Sequence, residues 1–80
     1  MQQPVITSEL HAQFCRNMRT WRNERHMTQQ QLADATGLRQ PDISALEAGR
    51  YTPTITTVEI VAKGLRIRAD ALFALEPVEV

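Results

Sequence analysis

Apolar residues recur along the first third of the chain at the spacing of an α-helix. The four apolar positions that follow one another at steps of four, four and three residues are Leu10, Phe14, Met18 and Trp21. This spacing places them on one face of a helix, with most of the intervening polar residues on other faces. It predicts a first helix from Ser8 to His26, with Thr7 or Ser8 as the residue that caps its start.

Two shorter helices are predicted on either side of a glycine. The run Thr28-Gln29-Gln30-Gln31 matches a capping box, which predicts a second helix from Gln29 to about Thr36. Gly37 suits the left-handed conformation in which many helices end. A third helix is predicted from Gln40 to Glu47, with Pro41 in its first turn, where a proline is tolerated.

In the last part of the chain, the sequence pattern predicts two more helices and a short tail. Thr54 caps a fourth helix that runs to about Gly64. The apolar stripe of this helix consists of Ile55, Val58, Val61, Ala62 and Leu65. A fifth helix is predicted from about Ala69 to Leu75. No pair of segments has the pattern of strands, so the sequence predicts an all-α fold, a compact five-helix bundle.

Length and composition are those of a single domain. The chain has 80 residues, of which 42% are hydrophobic and 22% are charged, as in ordinary globular domains. We place the core at residues 9–75, between tails at 1–7 and 76–80. The single cysteine, Cys15, lies on the predicted first helix, and we expect it to be buried and reduced. With no apolar run long enough to span a membrane and no signal-peptide pattern, we expect a cytoplasmic protein.

The formal net charge is zero, whereas nucleic-acid-binding domains are usually basic. The charges are nevertheless unevenly distributed along the chain. Six arginines lie within the first fifty residues, namely Arg16, Arg19, Arg22, Arg25, Arg39 and Arg50. Four carboxylates lie within the last thirty, namely Glu59, Asp70, Glu76 and Glu79. Such a distribution is compatible with one basic face on a neutral molecule.

The second and third predicted helices have the spacing of a helix-turn-helix. Ala33 is small where the two helices must cross closely, Gly37 follows four residues later in the turn, and Ile43 follows six residues after that. Two short helices joined by a short turn with a glycine form this motif. The small core beneath it is completed by Leu32, Leu38 and Leu46.

The stretch MTQQQLADATGLRQPDISALEAGRYTPTITTVEIVAKGL resembles the Xre-like family of Cro and phage-repressor domains. It shares with that family a Thr-Gln start, Leu-Ala, a turn glycine, Ile-Ser, Glu-x-Gly, a proline and a final apolar helix. The resemblance covers residues 14–73. It implies a lambda-repressor-like DNA-binding domain that regulates transcription as a homodimer on a short inverted repeat in double-stranded DNA.

The resemblance also implies a structural ion pair. Arg22 on the first helix and Glu47 at the end of the third match positions where the family joins these helices through a partly buried pair. The alternative is two solvated surface charges. Removal of one member of a buried pair strands the other charge, at a cost of roughly 3–5 kcal/mol.

The third helix corresponds to the family's recognition helix, whose first residues face base edges in the major groove. The matching positions here are Arg39, Gln40, Pro41, Asp42, Ser44 and Ala45. Arg39 suits guanine and Gln40 suits adenine, each through two hydrogen bonds. The alternatives are a phosphate contact or a solvated charge for Arg39, and a helix-start role for Gln40. Asp42 either stabilises the helix N-terminus, which we favour, or accepts a hydrogen bond from cytosine.

Phosphate contacts are implied for residues at the start of the second helix and after the third. These residues are Arg19, Thr28, Gln29, Gln30, Arg50, Tyr51, Thr52 and Thr54. Helix N-termini and backbone amides are common phosphate ligands. Each arginine taken alone is more often a solvated surface residue.

The implied dimer interface lies around the fourth and fifth helices, at Ile67, Ala69, Leu72, Phe73 and Leu75. The alternative is that these residues complete the core of the monomer. Arg68 stands where the family usually has a serine-type cap, so we expect the fifth helix to begin weakly or to be held differently.

The sequence contains few candidate catalytic or metal-ligating residues. His11 and His26 lie fifteen residues apart without a cluster of further ligands, so we expect no enzyme activity, no metal and no cofactor. The alternative function is an antitoxin-like interaction module that binds a toxin-like partner protein and binds DNA only secondarily. The zero net charge and the apolar C-terminal stretch favour that alternative slightly.

Overall fold

Four α-helices and a 3₁₀ helix make up the computed structural model, which describes the backbone of residues 5–74 and the side chains of residues 9–74. The elements are α1 (Val5–Glu24), α2 (Gln29–Thr36), α3 (Gln40–Ala48), α4 (Ile55–Leu65) and a 3₁₀ helix (Ala69–Phe73). Residues 5–74 contain no strand, so the all-α prediction is confirmed. No helix in this range has the length and apolar character that crossing a membrane requires.

The first helix differs from its prediction at both ends. It includes Thr7 and Ser8, so neither residue caps its start, and it ends at Glu24. His26 then adopts a left-handed backbone conformation with φ 55°, which turns the chain toward α2. Leu10 is 51% exposed, because the contact of α1 with the other helices begins around Phe14. The predicted apolar face is therefore correct only from Phe14 onward.

Local capping sets the bounds of α2 and α3. The Thr28 hydroxyl accepts from the amide of Gln31, and the Gln31 side chain accepts from the amide of Thr28, which together form the predicted capping box. Gly37 ends α2 with φ 80°, and Gly49 ends α3 with φ 73°. Both values lie in the left-handed region that glycine adopts without steric cost. The chain therefore folds into the helix-turn-helix that the spacing predicts.

The core lies where α1, α3, α4 and the 3₁₀ helix meet, with α2 packed on α3 and α4. Its fully buried large side chains are Phe14, Met18, Leu32, Ile43, Leu46, Val61, Leu65 and Leu72. Cys15 is buried beside them, as predicted, and its thiol donates to the carbonyl of Leu46 at 3.2 Å. Burial raises the pKa of this thiol above its ordinary value, which keeps it protonated and unreactive. One residue of the predicted apolar face of α4 does not pack into the core: Ile55 is 80% exposed.

The predicted fifth α-helix is a five-residue 3₁₀ helix. No side-chain cap is made by Arg68, whose guanidinium pairs instead with the exposed carboxylate of Asp70. The segment is held from α1, where the buried amide of Asn17 donates to the carbonyls of Leu72 and Ala74 at 3.1 and 2.9 Å. Tertiary hydrogen bonds therefore replace the missing cap. Leu75, the predicted end of this helix, lies outside the described residues.

The close approach of α4 to α2 depends on Gly64. A Cβ atom at this position would lie 2.6 Å from Cγ2 of Thr36 and 3.3 Å from Cδ1 of Leu32. Thr36 is a β-branched residue with little rotamer freedom in a helix, and its hydroxyl donates to the carbonyl of Leu32 at 2.9 Å. The methyl group of Thr36 consequently has little room to move away.

We predict that Gly64→Ala destabilises the fold, although alanine is the better helix former. Overpacking costs roughly 1–3 kcal/mol, whereas the gain in helix propensity is about 1 kcal/mol. Urea denaturation should show a lower free energy of unfolding. The loss should shrink in a Thr36→Ser background, which keeps the hydroxyl and removes the obstructing methyl group. A Gly64→Ala protein as stable as the wild type would contradict the prediction.

Candidate nucleic-acid interface

A buried ion pair joins α1 to α3 beneath the candidate surface. Nε of Arg22 lies 2.6 Å from Oε2 of Glu47, and Nη2 lies 3.1 Å from Oε1. The Glu47 side chain is 3% exposed and that of Arg22 is 14% exposed. The remaining nitrogen, Nη1, donates to the carbonyl of Met27 at 2.9 Å. One guanidinium thus fixes α1, the loop before α2 and the end of α3 relative to one another.

Two glutamines continue this network to the surface. Nε2 of Gln29 donates to Oε1 of Glu47 at 3.1 Å, and Oε1 of Gln29 accepts from Nε2 of Gln40 at 2.7 Å. The direction of these bonds follows from chemistry, because an ionised carboxylate only accepts. The NH₂ group of Gln29 must therefore face Glu47, and its carbonyl oxygen must face Gln40. Gln40 is left with its own carbonyl oxygen and one N–H hydrogen for other partners.

Arg39 and Asp42 form a second pair at the start of α3. Oδ2 of Asp42 accepts from the backbone amide and from Nε of Arg39, both at 3.2 Å, and Oδ1 accepts from Nη2 at 3.2 Å. The Arg39 side chain is 78% exposed. Hydrogen bonds from Arg39 hold the pKa of the Asp42 carboxyl below its ordinary value, and those same bonds raise the pKa of Arg39.

The other residues predicted to read bases lie on the same helix. Pro41 occupies the first turn of α3 and is exposed. Ser44 and Ala45 follow about one turn later and are half-buried. The structure therefore brings the six predicted positions onto the first two turns of one helix, with Arg39 and Gln40 at its start.

The start of α2 presents backbone amides. The amide of Thr28 is occupied by Gln31 in the capping box, so we remove it from the predicted phosphate ligands. The amides of Gln29 and Gln30 open the helix and have no intrahelical acceptor. The Gln30 side chain donates to Oδ1 of Asp34 at 2.9 Å. The backbone amide of Gln29 is therefore available to a phosphate, while its side chain is held by the hydrogen bond to Glu47.

The segment between α3 and α4 exposes the second group of predicted phosphate ligands. Arg50, Tyr51 and Thr52 are exposed there. Thr54 caps α4, and its hydroxyl accepts from the amide of Thr57 at 3.1 Å. Arg19 is half-exposed, and its Nη2 donates to the backbone carbonyl of Glu47 at 2.9 Å. Arg19 therefore also stabilises the end of α3.

The predicted dimer residues differ in their exposure. Leu72 is fully buried in the monomer, so its place in the predicted interface is wrong. Ile67, Ala69 and Phe73 pack partly against the core and remain half-exposed. The fifth predicted residue, Leu75, lies outside the described residues.

Sequence reasoning missed the structural roles of three residues that organise this region. Asn17 anchors the 3₁₀ helix, and Gln29 links Glu47 to Gln40. Arg25 donates to the carbonyls of Leu65 and Arg66 at the end of α4, at 2.8 and 3.2 Å. The one available signal was Asn17, a polar residue next to Met18 on the apolar side of α1.

Residues 18–72 match a family model described as helix-turn-helix. The chain belongs to this helix-turn-helix family. The match begins within α1 and ends within the 3₁₀ helix, so it includes the whole of α2, α3 and α4. The resemblance to Xre-like regulators is thereby confirmed, and membership of this family implies DNA binding.

Relatives of this helix-turn-helix protein come from several sources. An uncharacterized HTH-type transcriptional regulator of Mycobacterium tuberculosis is 33% identical over 66 residues, covering 78% of this chain and 47% of that protein. The immunity repressor protein of Bacillus phage phi105 is 38% identical over 55 residues, covering 69% of this chain and 38% of that protein. The chain thus spans less than half the length of these two relatives.

A solved structure shares the fold of this helix-turn-helix protein. The crystal structure of the hypothetical transcription factor NHTF from Neisseria superposes with a TM-score of 0.78 at 31% sequence identity. The similarity covers 81% of this chain and 75% of that chain. The arrangement of α1 to α4 is accordingly that of a helix-turn-helix transcription factor.

We predict that Arg22→Ala strongly destabilises this helix-turn-helix domain. The substitution removes both charged hydrogen bonds to the nearly inaccessible carboxylate of Glu47 and leaves it with the half-exposed Arg19, whose Nε lies 3.9 Å from Oε1, at a cost of roughly 3–5 kcal/mol. Thermal and urea unfolding should both show the loss. The matched control is Arg68→Ala, which removes an arginine from an exposed pair and should change stability little. Equal unfolding curves for the two variants would contradict a structural role of the Arg22–Glu47 pair.

Proposed function

We propose that this protein binds a short inverted repeat in double-stranded DNA as a homodimer and regulates transcription by occupying that operator. Membership of the helix-turn-helix family supports the DNA-binding part of the proposal. The observation that carries the sequence-specific part is the fixed orientation of Gln40 at the start of α3. Its carbonyl oxygen and second N–H hydrogen form an acceptor and donor pair at the start of α3, where Gln40 is half-buried.

This pair fits one base. Adenine offers an N6 amino donor and an N7 acceptor in the major groove, and a glutamine amide matches both. The match requires the carbonyl oxygen to face N6 and an N–H to face N7. Gln40 retains both groups because Gln29 uses only one of its N–H hydrogens. We assign Gln40 to adenine and the neighbouring Arg39 to guanine.

Phosphate contacts in this proposal come from both sides of α3. The first-turn amides of Gln29 and Gln30 point out of the positive end of α2. Arg50 and Thr52 extend from the segment after α3, where both side chains are exposed. The backbone contacts set the register of the domain, and α3 then reads the bases.

The zero net charge is compatible with a locally positive surface. The buried Arg22–Glu47 pair and the Arg39–Asp42 pair each contribute no net charge, so the positive charge on this face comes from the exposed Arg19 and Arg50. Local charge, rather than the total, determines the attraction of the phosphates to this face.

An exposed apolar surface supports the homodimer. A depression of about 330 Å³ between the start of α4 and the 3₁₀ helix has four apolar and two acidic lining residues, namely Ile55, Val58, Ala69, Phe73, Glu59 and Asp70. Ile55 is 80% exposed, and packing against a second copy would remove its apolar surface from water. A two-fold interface here would pair identical patches. The two recognition helices would then enter successive major grooves about 34 Å apart.

The DNA-binding part is tested by selecting bound duplexes from a random pool and titrating the winner at two salt concentrations. We expect an enriched inverted repeat. Arg39→Ala and Gln40→Ala should each relax preference at one position by roughly 5- to 150-fold, whereas Arg50→Ala should weaken binding equally across sequences. No enrichment would overturn the proposal and would favour the alternative of a protein-interaction module.

The homodimer is tested by sedimentation of wild type and of Ile55→Glu. We expect a concentration-dependent dimer for the wild type and a folded monomer for the variant, because the charge would be buried in the interface. Thr56→Glu, which adds the same charge at the adjacent exposed position, is the control. A wild type that stays monomeric, both alone and on the selected repeat, would contradict dimerisation.

A further inference from the structure

We propose that Asp42 is a positioning residue that holds the Arg39 guanidinium in the orientation that reads guanine. The inference rests on the proposed function and adds a specificity-determining role that the sequence did not reveal. The two roles considered from sequence were stabilisation of the helix N-terminus and direct acceptance from cytosine. The first role agrees with the structure, since Oδ2 of Asp42 accepts from the backbone amide of Arg39 at the start of α3. The same carboxylate also binds the Arg39 side chain, which points to a further role in base recognition through Arg39.

The hydrogen-bond geometry carries the inference. Asp42 engages the guanidinium from the side, since its two oxygens accept from Nε and Nη2 of Arg39 at 3.2 Å each. A guanidinium has five N–H donors, and this contact occupies two of them. The donors that remain are one hydrogen on Nη2 and both on Nη1. Those two nitrogens form the end-on fork that matches O6 and N7 of guanine.

The carboxylate is itself fixed to the helix. Oδ2 of Asp42 also accepts from the backbone amide of Arg39 at 3.2 Å. Between the two residues lies Pro41, whose ring fixes its φ angle in the first turn. The position of the guanidinium is thereby tied to the backbone of α3. Without this carboxylate, the long Arg39 side chain, 78% exposed, would sample many rotamers before reaching a base.

The loss of the Asp42 charge and the loss of its contact with Arg39 have different expected effects on DNA binding, and this difference makes the inference testable. A carboxylate on the recognition helix repels phosphates, so its removal should tighten binding to every sequence about twofold. A positioning role predicts instead that selectivity falls at one base pair. The change of charge and the loss of orientation therefore affect two separate quantities.

The experiment compares wild type with Asp42→Asn, which keeps the shape and one acceptor for the Arg39 amide. Anisotropy titrations use the selected operator, its variants at the guanine position and a scrambled duplex. We expect the preference for guanine to fall about two- to fivefold, in the range of exposed ion pairs, with binding to the scrambled duplex unchanged or tighter. Circular dichroism and thermal unfolding confirm that the variant is folded.

The control is Glu24→Gln, because Glu24 is an exposed carboxylate at the end of α1, outside α3 and outside the proposed dimer surface. It removes the same charge and should leave guanine preference unchanged. In an Arg39→Ala background, Asp42→Asn should also have no effect on base preference, since the group that it orients is gone.

Two results would overturn the inference while leaving the proposed function intact. One is an Asp42→Asn protein that keeps full guanine preference and binds all duplexes more tightly. The other is loss of preference at a cytosine position that persists in the Arg39→Ala background, which would show direct reading by Asp42. The assignment of Arg39 to guanine in the proposed function is tested separately. It is wrong if the wild type shows no preference for guanine, or if Arg39→Ala leaves that preference intact.

Discussion

The buried carboxylate of Glu47 is the group on which the arrangement of the DNA-binding surface depends. It receives Arg22 from α1 and Gln29 from α2, and it belongs to α3 itself. Three helices are therefore held at one acidic group that is nearly inaccessible to water. A buried pair of this kind adds little net stability compared with apolar packing, but it specifies geometry. That geometry includes the direction of each hydrogen bond out to Gln40.

The polar side chains at the edge of the domain are supported by this buried centre. Leu32, Ile43 and Leu46 are fully buried under the helix-turn-helix, so α2 and α3 cannot move independently without opening the core. The side chains offered to DNA project from the start of α3, where Gln29 holds Gln40 and Asp42 holds Arg39. Such an arrangement is typical of recognition sites placed on a stable scaffold.

The parts of the fold that could be predicted from sequence are those with local causes. The bounds of α2 and the turn that follows it depend on Thr28, Gln31 and Gly37, which are near one another in the chain. The 3₁₀ helix could not be predicted, because its conformation depends on Asn17, more than fifty residues away. Similarly, Gln29 and Glu47 are eighteen residues apart, and neither spacing nor hydropathy reveals their contact. The exposed position of Ile55 depends on how far α4 extends beyond the core.

The anchoring of residues 72–74 by Asn17 has a consequence for the order in which the chain folds. Its hydrogen bonds span 55 and 57 residues, whereas α2 contacts α3 across a short turn. Closing the longer loop costs more entropy and occurs more slowly than pairing neighbouring helices. The helix-turn-helix is thus expected to form early, and the C-terminal segment to dock last. Local opening of the native domain should begin at the same place.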